Sequence, residues 1–270
     1  MSRAVILYER ADAEKSRVLI GKYSAALKAR GVNAGLVITD RLPQKEVLDM
    51  ARGAELVINR TRDAGLAKFL EDNGLFVSNP SPVTETANDK LLTYERLSPL
   101  VPMLPTLLLE DTAPPLPFPF VAKPAAGHGG AGVTLIKNAE ELAAYRAAHP
   151  EKSVVQPLAS EPGRDMRIYV TGGRPLAAML RESREGFRSN FSLGGKASFV
   201  PVNELPGDVL GIVSAVCSAL PLHYAGVDVM RDRGRAVLNE IEDPVGARML
   251  YIFTGLDPAK AHAEFLLSQL

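Results

Sequence analysis

The chain has 270 residues, of which 46% are hydrophobic, and its 31 lysines and arginines balance its 31 aspartates and glutamates. This balance argues against a general nucleic-acid binder and against a protein that binds membrane surfaces. No apolar stretch approaches the ~20 residues of a membrane span, and the single cysteine, Cys217, cannot form an internal disulfide. We therefore expect a soluble, cytoplasmic protein with one large or two small domains.

The first third of the chain alternates apolar strand patterns with helical patterns. The predicted strands are residues 4–8, 34–38, 55–59 and 76–78, and the predicted helices are residues 15–30, 44–52, 63–73 and 88–97. Asn88 or Thr86 is the expected N-cap of the last helix. This β-α order predicts a small parallel sheet with crossover helices.

A proline-rich connector and a glycine-rich loop follow. Residues 99–119 contain seven prolines, which predicts an extended link between domains. Predicted strands at 120–123 and 133–137 then flank a loop that holds Gly127, Gly129, Gly130 and Gly132, with Lys123 just before it. Such a loop can present successive N–H groups to an anion. The pattern predicts a cover over a nucleotide polyphosphate, and a mobile hairpin is the alternative.

The second half has an α+β pattern with antiparallel strands. Strands are predicted at 154–158, 165–171, 175–181, 226–230 and 236–241, and helices at 139–149, 206–220 and 257–270. Gly172 and Gly173 form a strong hairpin turn signal between two of the strands.

Three carboxylates interrupt the last two predicted strands. Glu240 and Glu242 share one strand face because side chains alternate, and Asp228 lies on the partner strand. Clustered carboxylates in an apolar setting repel one another, and a cation such as Mg²⁺ offsets that cost. The alternative is an edge hairpin whose acids are solvated or paired with Arg231, Arg233 and Arg248.

Basic residues occur in two further places. Arg181, Arg184 and Arg188 follow the first hairpin, and residues 186–198 are expected to form a polar loop that carries Ser189, Asn190 and Lys196. Arg60 follows the third strand of the predicted parallel sheet, where ligands of open α/β sheets bind. Arginines suit carboxylates and phosphates, while solvated loops are the alternative at both places.

Six segments, in order, resemble motifs of the ATP-grasp superfamily, and among its members the RimK-type, glutathione synthetase-like amino-acid ligases. They are NDKLLTYERL, PFVAKPAAGHGGAGV, VVQPLASEPGRDMRIYV, FRSNFSLGGKA, AGVDVM and NEIEDPVG. The resemblance implies an ATP-grasp fold that combines α/β and α+β parts. The implied parts are an N-terminal preATP-grasp domain with a parallel sheet (1–85), a small central subdomain (86–160) and a C-terminal subdomain with an antiparallel sheet (161–270).

The resemblance also implies a role for each matching residue. Phosphate contacts fall to Lys90, Lys123, Gly129 and Gly130, and the adenine hinge to Gln156, Pro157 and Leu158. Asp165 would lie near the ribose or adenine. Arg188, Ser189 and Asn190 would line the ATP and acyl-phosphate region, and Arg181 and Arg188 would stabilise the acyl phosphate. Asp228, Glu240 and Glu242 would hold Mg²⁺, or alternatively Mn²⁺. Arg60 and Lys196 would contact substrate.

The implied activity is ATP-dependent ligation of a carboxylate to an amine through an acyl phosphate. The substrates would be small molecules or peptides, with no nucleic acid or membrane partner, and the chain would form a homodimer or homotetramer. The alternatives are a phosphotransferase, a ligase for non-amino-acid carboxylates, or a non-catalytic ATP-binding module.

Three positions depart from the family pattern. Glu242 stands where the family usually has asparagine, Asp243-Pro244-Val245-Gly246 replaces its Ser-Pro-Gly, and the segment between the hinge and Asp165 is one residue short. Because of this shortening, the family's adenine-hinge positions can be matched to this sequence in two ways that differ by one residue. The His128 side chain is expected to be dispensable, because the glycine loop would bind phosphate through its backbone.

Overall fold

The computed structural model describes residues 3–110, 114–183, 186 and 195–270. These residues form three sheets, which follow one another along the chain. Within the described ranges, no helix is both long enough and apolar enough to cross a bilayer.

The first sheet is parallel, as the strand and helix order predicts. Its strand order is β2-β1-β3-β4, and its strands are β1 (Arg3–Tyr8), β2 (Asn33–Ile38), β3 (Leu56–Asn59) and β4 (Val77–Ser78). The surrounding helices are α1 (Arg10–Lys15), α2 (Arg17–Lys28), α3 (Gln44–Ala51) and α4 (Ala64–Asp72). The predicted helix at 15–30 is wrong at its start, because the backbone at Ser16 (φ −105°, ψ 14°) separates α1 from α2.

The helix predicted at 88–97 corresponds to α6 (Lys90–Leu97), and an additional short helix, α5 (Ser81–Ala87), precedes it. The Asp89 carboxylate caps α6 by accepting hydrogen bonds from the N–H groups of Leu91 and Leu92 at 2.9 and 3.1 Å. Asn88 and Thr86, the expected caps, instead donate their side-chain hydrogen bonds to carbonyl oxygens. Lys90 therefore begins a helix.

The second sheet is antiparallel, with the order β5-β8-β6-β7. Its strands are β5 (Leu107–Leu108), β6 (Phe120–Pro124), β7 (Thr134–Ile136) and β8 (Ser153–Pro157), and it carries α7 (Ala139–Ala148). The proline-rich connector was predicted to be extended, and β5 lies within it. Only two residues pair with β8, so the strand is too short to leave an alternating pattern.

The third sheet is antiparallel, with the order β11-β10-β9-β12-β13. Its strands are β9 (Arg164–Thr171), β10 (Arg174–Glu182), β11 (Lys196–Val200), β12 (Tyr224–Asp232) and β13 (Arg235–Glu242). Gly172 and Gly173 have φ values of 56° and 72°, which confirms the predicted turn. The loop predicted at 186–198 is wrong at its end, because residues 196–198 pair with β10 as an edge strand.

The remaining helices cover the third sheet and connect it to the first. They are α8 (Gly207–Ala219), α9 (Arg248–Phe253) and α10 (Pro258–Leu267), with a short 3₁₀ turn at Val202–Glu204. One face of the sheet buries Ile168, Val227 and Leu238 in the same apolar cluster as residues of α8. The alternate residues of the same strands point to the other face, which carries polar side chains beside a smaller apolar cluster that includes Tyr169 and Met179.

Candidate active site

The polar face of the third sheet gathers charged residues from four strands. Strand pairing sets Arg181 opposite Asp165, Arg167 opposite Asp228, and Asp228 opposite Glu240. Glu242 lies two residues beyond Glu240 and therefore shares its face. The alternation predicted from the sequence thus brings the acidic residues to one place.

The three carboxylates form a compact group. One oxygen from each of Asp228, Glu240 and Glu242 lies within 4.8 Å of the others. Asp228 is fully buried, whereas the other two are partly buried. Arg231, offered above as an alternative partner, pairs instead with Asp208 at 2.6 Å. Hard carboxylate oxygens in this arrangement suit Mg²⁺ or Mn²⁺, so the donor set fits the implied metal.

Two arginines hold Asp228 in its ionised form. Arg167 donates from Nε and Nη2 to the two carboxylate oxygens at 2.7 Å each, and Arg181 donates from Nη2 at 2.6 Å. Burial alone would raise the pKa of Asp228, but the charges and hydrogen bonds of these arginines lower it to about 2. Asp228 therefore stays ionised in any ordinary buffer.

Arg167 is a site residue that the sequence reasoning did not select. Its Nη2 also donates to Glu242 at 2.9 Å, so one guanidinium joins two members of the carboxylate group. One feature of the sequence could have indicated Arg167. It lies two residues after Asp165 on β9, so the two side chains share a sheet face. The partner, however, is 61 residues away on β12, and only the strand order shows that the two strands are adjacent.

Arg181 and Asp165 form the next pair on this face. Arg181 donates from Nε to one Asp165 oxygen at 2.8 Å and from Nη2 to the other. Because Arg181 also contacts Asp228, it joins Asp165 to the carboxylate group. The buried network Asp165–Arg181–Asp228–Arg167–Glu242 pre-sets the positions of its members before any ligand binds.

Glu240 has a different electrostatic setting from Asp228. Burial and the charges of Asp228 and Glu242 raise its pKa, against the opposing effect of Lys90 and Lys123. No arginine contact to Glu240 occurs among the described residues. Its charge is thus the least compensated of the three carboxylates, as expected for a group whose partner is an added cation.

Two lysines face this group from the second sheet and α6. Burial lowers the pKa of Lys123 to about 8, although the charge of Glu240 opposes the shift. Its side chain is only 6% exposed, and its ammonium makes no hydrogen bond or ion pair within the described ranges. The Lys90 ammonium contacts the carbonyl oxygens of Gly127 and Ala125, and burial also lowers its pKa.

The glycine loop lies over the lysines. Gly129, Gly130 and Gly132 have φ values of 64°, 79° and 67°, a backbone conformation that other residues rarely adopt. The loop lines a cleft, which we call the glycine-loop cleft, together with Lys90, Lys123, Gln156, Pro157, Leu158, Asp165, Arg181, Asn239 and Glu240. The cleft therefore places Lys90, Lys123 and the backbone of the glycine loop beside the carboxylate of Glu240.

One wall of the glycine-loop cleft, formed by the end of β8 and the residue after it, carries no charged side chain. Gln156 is buried there, and its amide donates to the Thr106 hydroxyl at 2.6 Å. Pro157 and Leu158 continue the wall, and Pro157 has no N–H. Pro157 therefore cannot donate a backbone hydrogen bond at this wall, whereas Leu158 can.

A second cleft, which we call the arginine cleft, opens on the side of the first sheet. Its charged lining residues are Asp12, Lys15, Arg60, Arg62, Arg167, Arg181, Glu242 and Arg248. His128, Gly129 and Arg181 line both clefts, so the two clefts meet beside the carboxylates. Cations outnumber anions in the arginine cleft, which suits it to anionic ligands.

The structure separates the two residues predicted to contact substrate. Arg60 is buried in the wall of the arginine cleft, where it donates to the Tyr8 hydroxyl at 3.3 Å and to the Val245 carbonyl. Lys196 is exposed opposite Glu182 on β11, on the sheet face that points away from Arg181. Lys196 lines neither cleft. Arg184, Arg188, Ser189 and Asn190 lie outside the described residues.

Comparison with known proteins agrees with this geometry. The family model for the RimK-like ATP-grasp domain matches residues 107–266. A probable alpha-L-glutamate ligase of Xanthomonas oryzae pv. oryzae is 33% identical over 210 residues, which are 73% of this chain and 70% of that protein. Beta-citrylglutamate synthase B of Danio rerio is 30% identical over 256 residues, which are 89% of this chain and 62% of that protein.

Solved structures show the same fold at lower sequence identity. The crystal structure of a D-cycloserine synthetase has a TM-score of 0.76 at 16% identity and covers 99% of each chain. A D-alanine–D-alanine ligase from Bacillus anthracis complexed with ATP has a TM-score of 0.73 at 16% identity, over 99% of this chain and 97% of that one. The family model, the related sequences and the fold agree, and the chain therefore belongs to the RimK-like ATP-grasp family of ATP-dependent ligases.

Proposed function

We propose that this enzyme joins a carboxylate to an amine through an acyl-phosphate intermediate at the junction of its two clefts. One observation carries the proposal. In the glycine-loop cleft, the buried ammonium of Lys123 has no partner among the described residues, and it shares the cleft with Glu240. One oxygen of Glu240 lies within 4.8 Å of an oxygen of Asp228 and of Glu242. A bound polyphosphate with its metal would satisfy both groups at once.

The glycine-loop cleft would bind ATP along its length. Leu158 would offer its backbone N–H to the adenine, while Lys90, Lys123 and the loop N–H groups would contact the phosphates. When bound to Asp228, Glu240 and Glu242, Mg²⁺ would neutralise phosphate charge as a Lewis acid. The loop would also exclude water from the phosphoryl group, which limits hydrolysis of ATP.

The reaction has two steps that balance without an enzyme nucleophile. A substrate carboxylate oxygen attacks the γ-phosphorus and displaces ADP, which gives an acyl phosphate. The amine nitrogen then attacks the acyl carbon, inorganic phosphate leaves, and the amine proton passes to solvent. Arg167 and Arg181 lie where the clefts meet and would stabilise the charge that develops on the transferring oxygens.

The arginine cleft supports an acidic amino acid as one of the substrates. Lys15 and the arginines at 60, 62, 167, 181 and 248 line it against only Asp12 and Glu242. Relatives named for glutamate ligation and citrylglutamate synthesis point to the same class. Guanidinium groups bind carboxylates in bidentate geometry, so glutamate and aspartate belong first in a substrate panel.

The test follows ADP and phosphate release with Mg²⁺ and ATP across amino acids and short peptides, with mass spectrometry for new amides. A carboxylate labelled with ¹⁸O in both oxygens should transfer one label to the released phosphate. EDTA should abolish turnover, and Mg²⁺ or Mn²⁺ should restore it. Amide formation with the label in AMP, or without any label transfer, would contradict the acyl phosphate. The absence of ADP release with every pair would contradict the ligase activity itself.

A further inference from the structure

Gly226 occupies an unusual position inside β12. It pairs with Tyr169 on β9 and with Glu242 on β13, and it is buried two residues before Asp228 on the same face. Glycine weakens a strand interior and often marks a place where another group approaches the backbone closely. The φ angle of Gly226 is not positive, so the backbone conformation itself does not require glycine.

The space above Gly226 is filled by the side chain of Arg167. A β-carbon at position 226 would lie 3.2 Å from Arg167 Cδ, 3.3 Å from Arg167 Nε and 3.1 Å from a Val245 methyl group. These distances are shorter than ordinary van der Waals contacts between heavy atoms, which begin near ~3.5 Å. The arginine therefore reaches its partners by crossing directly over the glycine.

Neither neighbour can retreat easily. Arg167 is held at 2.7 Å by each Asp228 oxygen and at 2.9 Å by Glu242. Val245 is fully buried, and its carbonyl oxygen accepts a hydrogen bond from Arg60. An added methyl group would thus have to displace an anchored guanidinium or an anchored segment of chain.

We propose that Gly226 is a positioning residue, whose missing side chain gives Arg167 the passage it needs to hold Asp228 and Glu242 together. Arg167 joins two of the three carboxylates, so its placement sets their spacing. A β-carbon at 226 would push on Cδ and Nε of Arg167, and Nη2, which donates to both Asp228 and Glu242, would move with them. The importance of this spacing for catalysis rests on the proposed function.

The experiment compares Gly226→Ala with Gly35→Ala. Gly35 is the matched control, since it also lies in a strand with no positive φ, and a β-carbon there meets nothing within 4 Å. We expect Gly226→Ala to lower kcat about tenfold, because small displacements of positioning groups are costly. KM for ATP should change less than about twofold, because neither Gly226 nor Arg167 lines the glycine-loop cleft. Gly35→Ala should leave kcat within about twofold of wild type.

A double-mutant cycle identifies the neighbour that matters. Gly226→Ala should add little to Arg167→Ala, because the shortened side chain leaves room for the new methyl group. Arg167→Val, which also lacks the atoms that lie above Gly226 and has a higher strand propensity than alanine, serves if Arg167→Ala does not fold. If Val245→Ala relieves the effect of Gly226→Ala and Arg167→Ala does not, the glycine serves packing against Val245, and the proposal is wrong.

Melting temperature without nucleotide or metal supplies a readout that does not depend on the reaction. Gly226→Ala should lower it by about 3 °C in the wild-type background and should not lower it in the Arg167→Ala background. An equal decrease in both backgrounds would overturn the proposal. A failure of the proposed function would appear separately, as absence of ligation by the wild-type protein while the melting cycle still reports coupling.

Discussion

Lys123 and Glu240 in the glycine-loop cleft lack an ion-pair partner among the described residues, whereas Arg167 and Arg181, which line the arginine cleft, are paired with carboxylates. The Lys123 ammonium has no partner among the described residues, and the charge of Glu240 is poorly compensated. Arg167 and Arg181, in contrast, make five hydrogen bonds of 2.6–2.9 Å with Asp165, Asp228 and Glu242. The glycine-loop cleft therefore holds two charged groups that are free to interact with a charged ligand. The arginine cleft beside it holds arginines that are already fixed by hydrogen bonds.

The largest effects on activity should come from substitutions of the carboxylates. The effects of these substitutions on protein stability should differ between Asp228 and Glu240. Asp228→Asn and Glu240→Gln should each lower kcat about 10³-fold, since each removes charge from the metal site. Asp228→Asn should also destabilise the protein by about 3 kcal/mol, because it removes the buried carboxylate charge that Arg167 and Arg181 share. Glu240→Gln should not lower the melting temperature, because burial and its acidic neighbours already disfavour the ionised form.

The measurements for this pair are kcat with Mg²⁺ and ATP, and thermal unfolding without ligands. Glu264→Gln is a suitable control, since Glu264 forms an exposed ion pair with Arg30 far from both clefts. If Glu240→Gln destabilised the protein as much as Asp228→Asn, the contrast between the unpaired Glu240 and the paired Asp228 would be wrong.

Lys123→Met should lower kcat/KM for ATP about 100-fold and yet stabilise the free protein. Burial lowers the pKa of Lys123 to about 8, so below that pH the folded state carries a charge that the unfolded state solvates better. Removing it should add on the order of 2 kcal/mol at pH 7. Lys137→Met, at an exposed site outside the cleft, is the control in urea denaturation and in kinetics.

The same lysine predicts a pH dependence of ATP affinity. Phosphate binds the ammonium form, which predominates below about pH 8 in the free enzyme. As pH rises above 8, binding must be accompanied by proton uptake, so Kd should increase by up to about tenfold per pH unit. Calorimetry in two buffers of different ionisation enthalpy would measure that uptake. A Kd that stayed constant from pH 7 to 10 would show that Lys123 does not contact the phosphates.

The sequence could predict the carboxylate group and select Arg181, but not the contacts through which Arg167 and Arg181 organise the group. Asp228, Glu240 and Glu242 follow from alternation along two neighbouring strands of a hairpin. The contact of Arg167 with Asp228 crosses from β9 to β12, which are separated along the chain by β10, β11, the 3₁₀ turn and α8. The alternation of side chains along a strand determines the sheet face on which a residue lies, and this can be read from a local sequence pattern. The order of strands in the sheet determines which residues lie next to it, and no local pattern contains that information.

Element boundaries show the same limit on a smaller scale. The pattern at residues 88–97 predicted a helix, but the cap is Asp89, whose carboxylate also pairs with Lys152 at 2.8 Å. Strand β11 was predicted as part of a loop because the stretch between β10 and β11 is polar and resembles a loop. Its pairing with β10 shows that it is a strand. In both cases a tertiary contact decides between local conformations that the sequence supports about equally.

Arg60→Met should have a moderate effect, confined to the arginine cleft. The substitution removes the hydrogen bonds to Tyr8 and to the Val245 carbonyl, so the segment beside Glu242 should become less well held. We expect KM for the acidic amino acid to rise about tenfold, with KM for ATP unchanged. Arg17→Met, at an exposed position of α2, is the control. An equal rise in both KM values would mean that Arg60 supports the whole site rather than this cleft.

His128→Ala should have the smallest effect, although His128 lines both clefts. Burial and the nearby charge of Arg62 lower the pKa of this histidine, so at pH 7 it is neutral and adds no charge for a phosphate. We expect less than about a threefold change in kcat, because the loop would act through backbone N–H groups. Gly129→Ala, which strains a residue at φ 64°, should lower kcat more, by about tenfold. If His128→Ala were the more damaging of the two, the side chain would take part in the reaction, and a pH profile of kcat would then show whether it transfers a proton where the clefts meet.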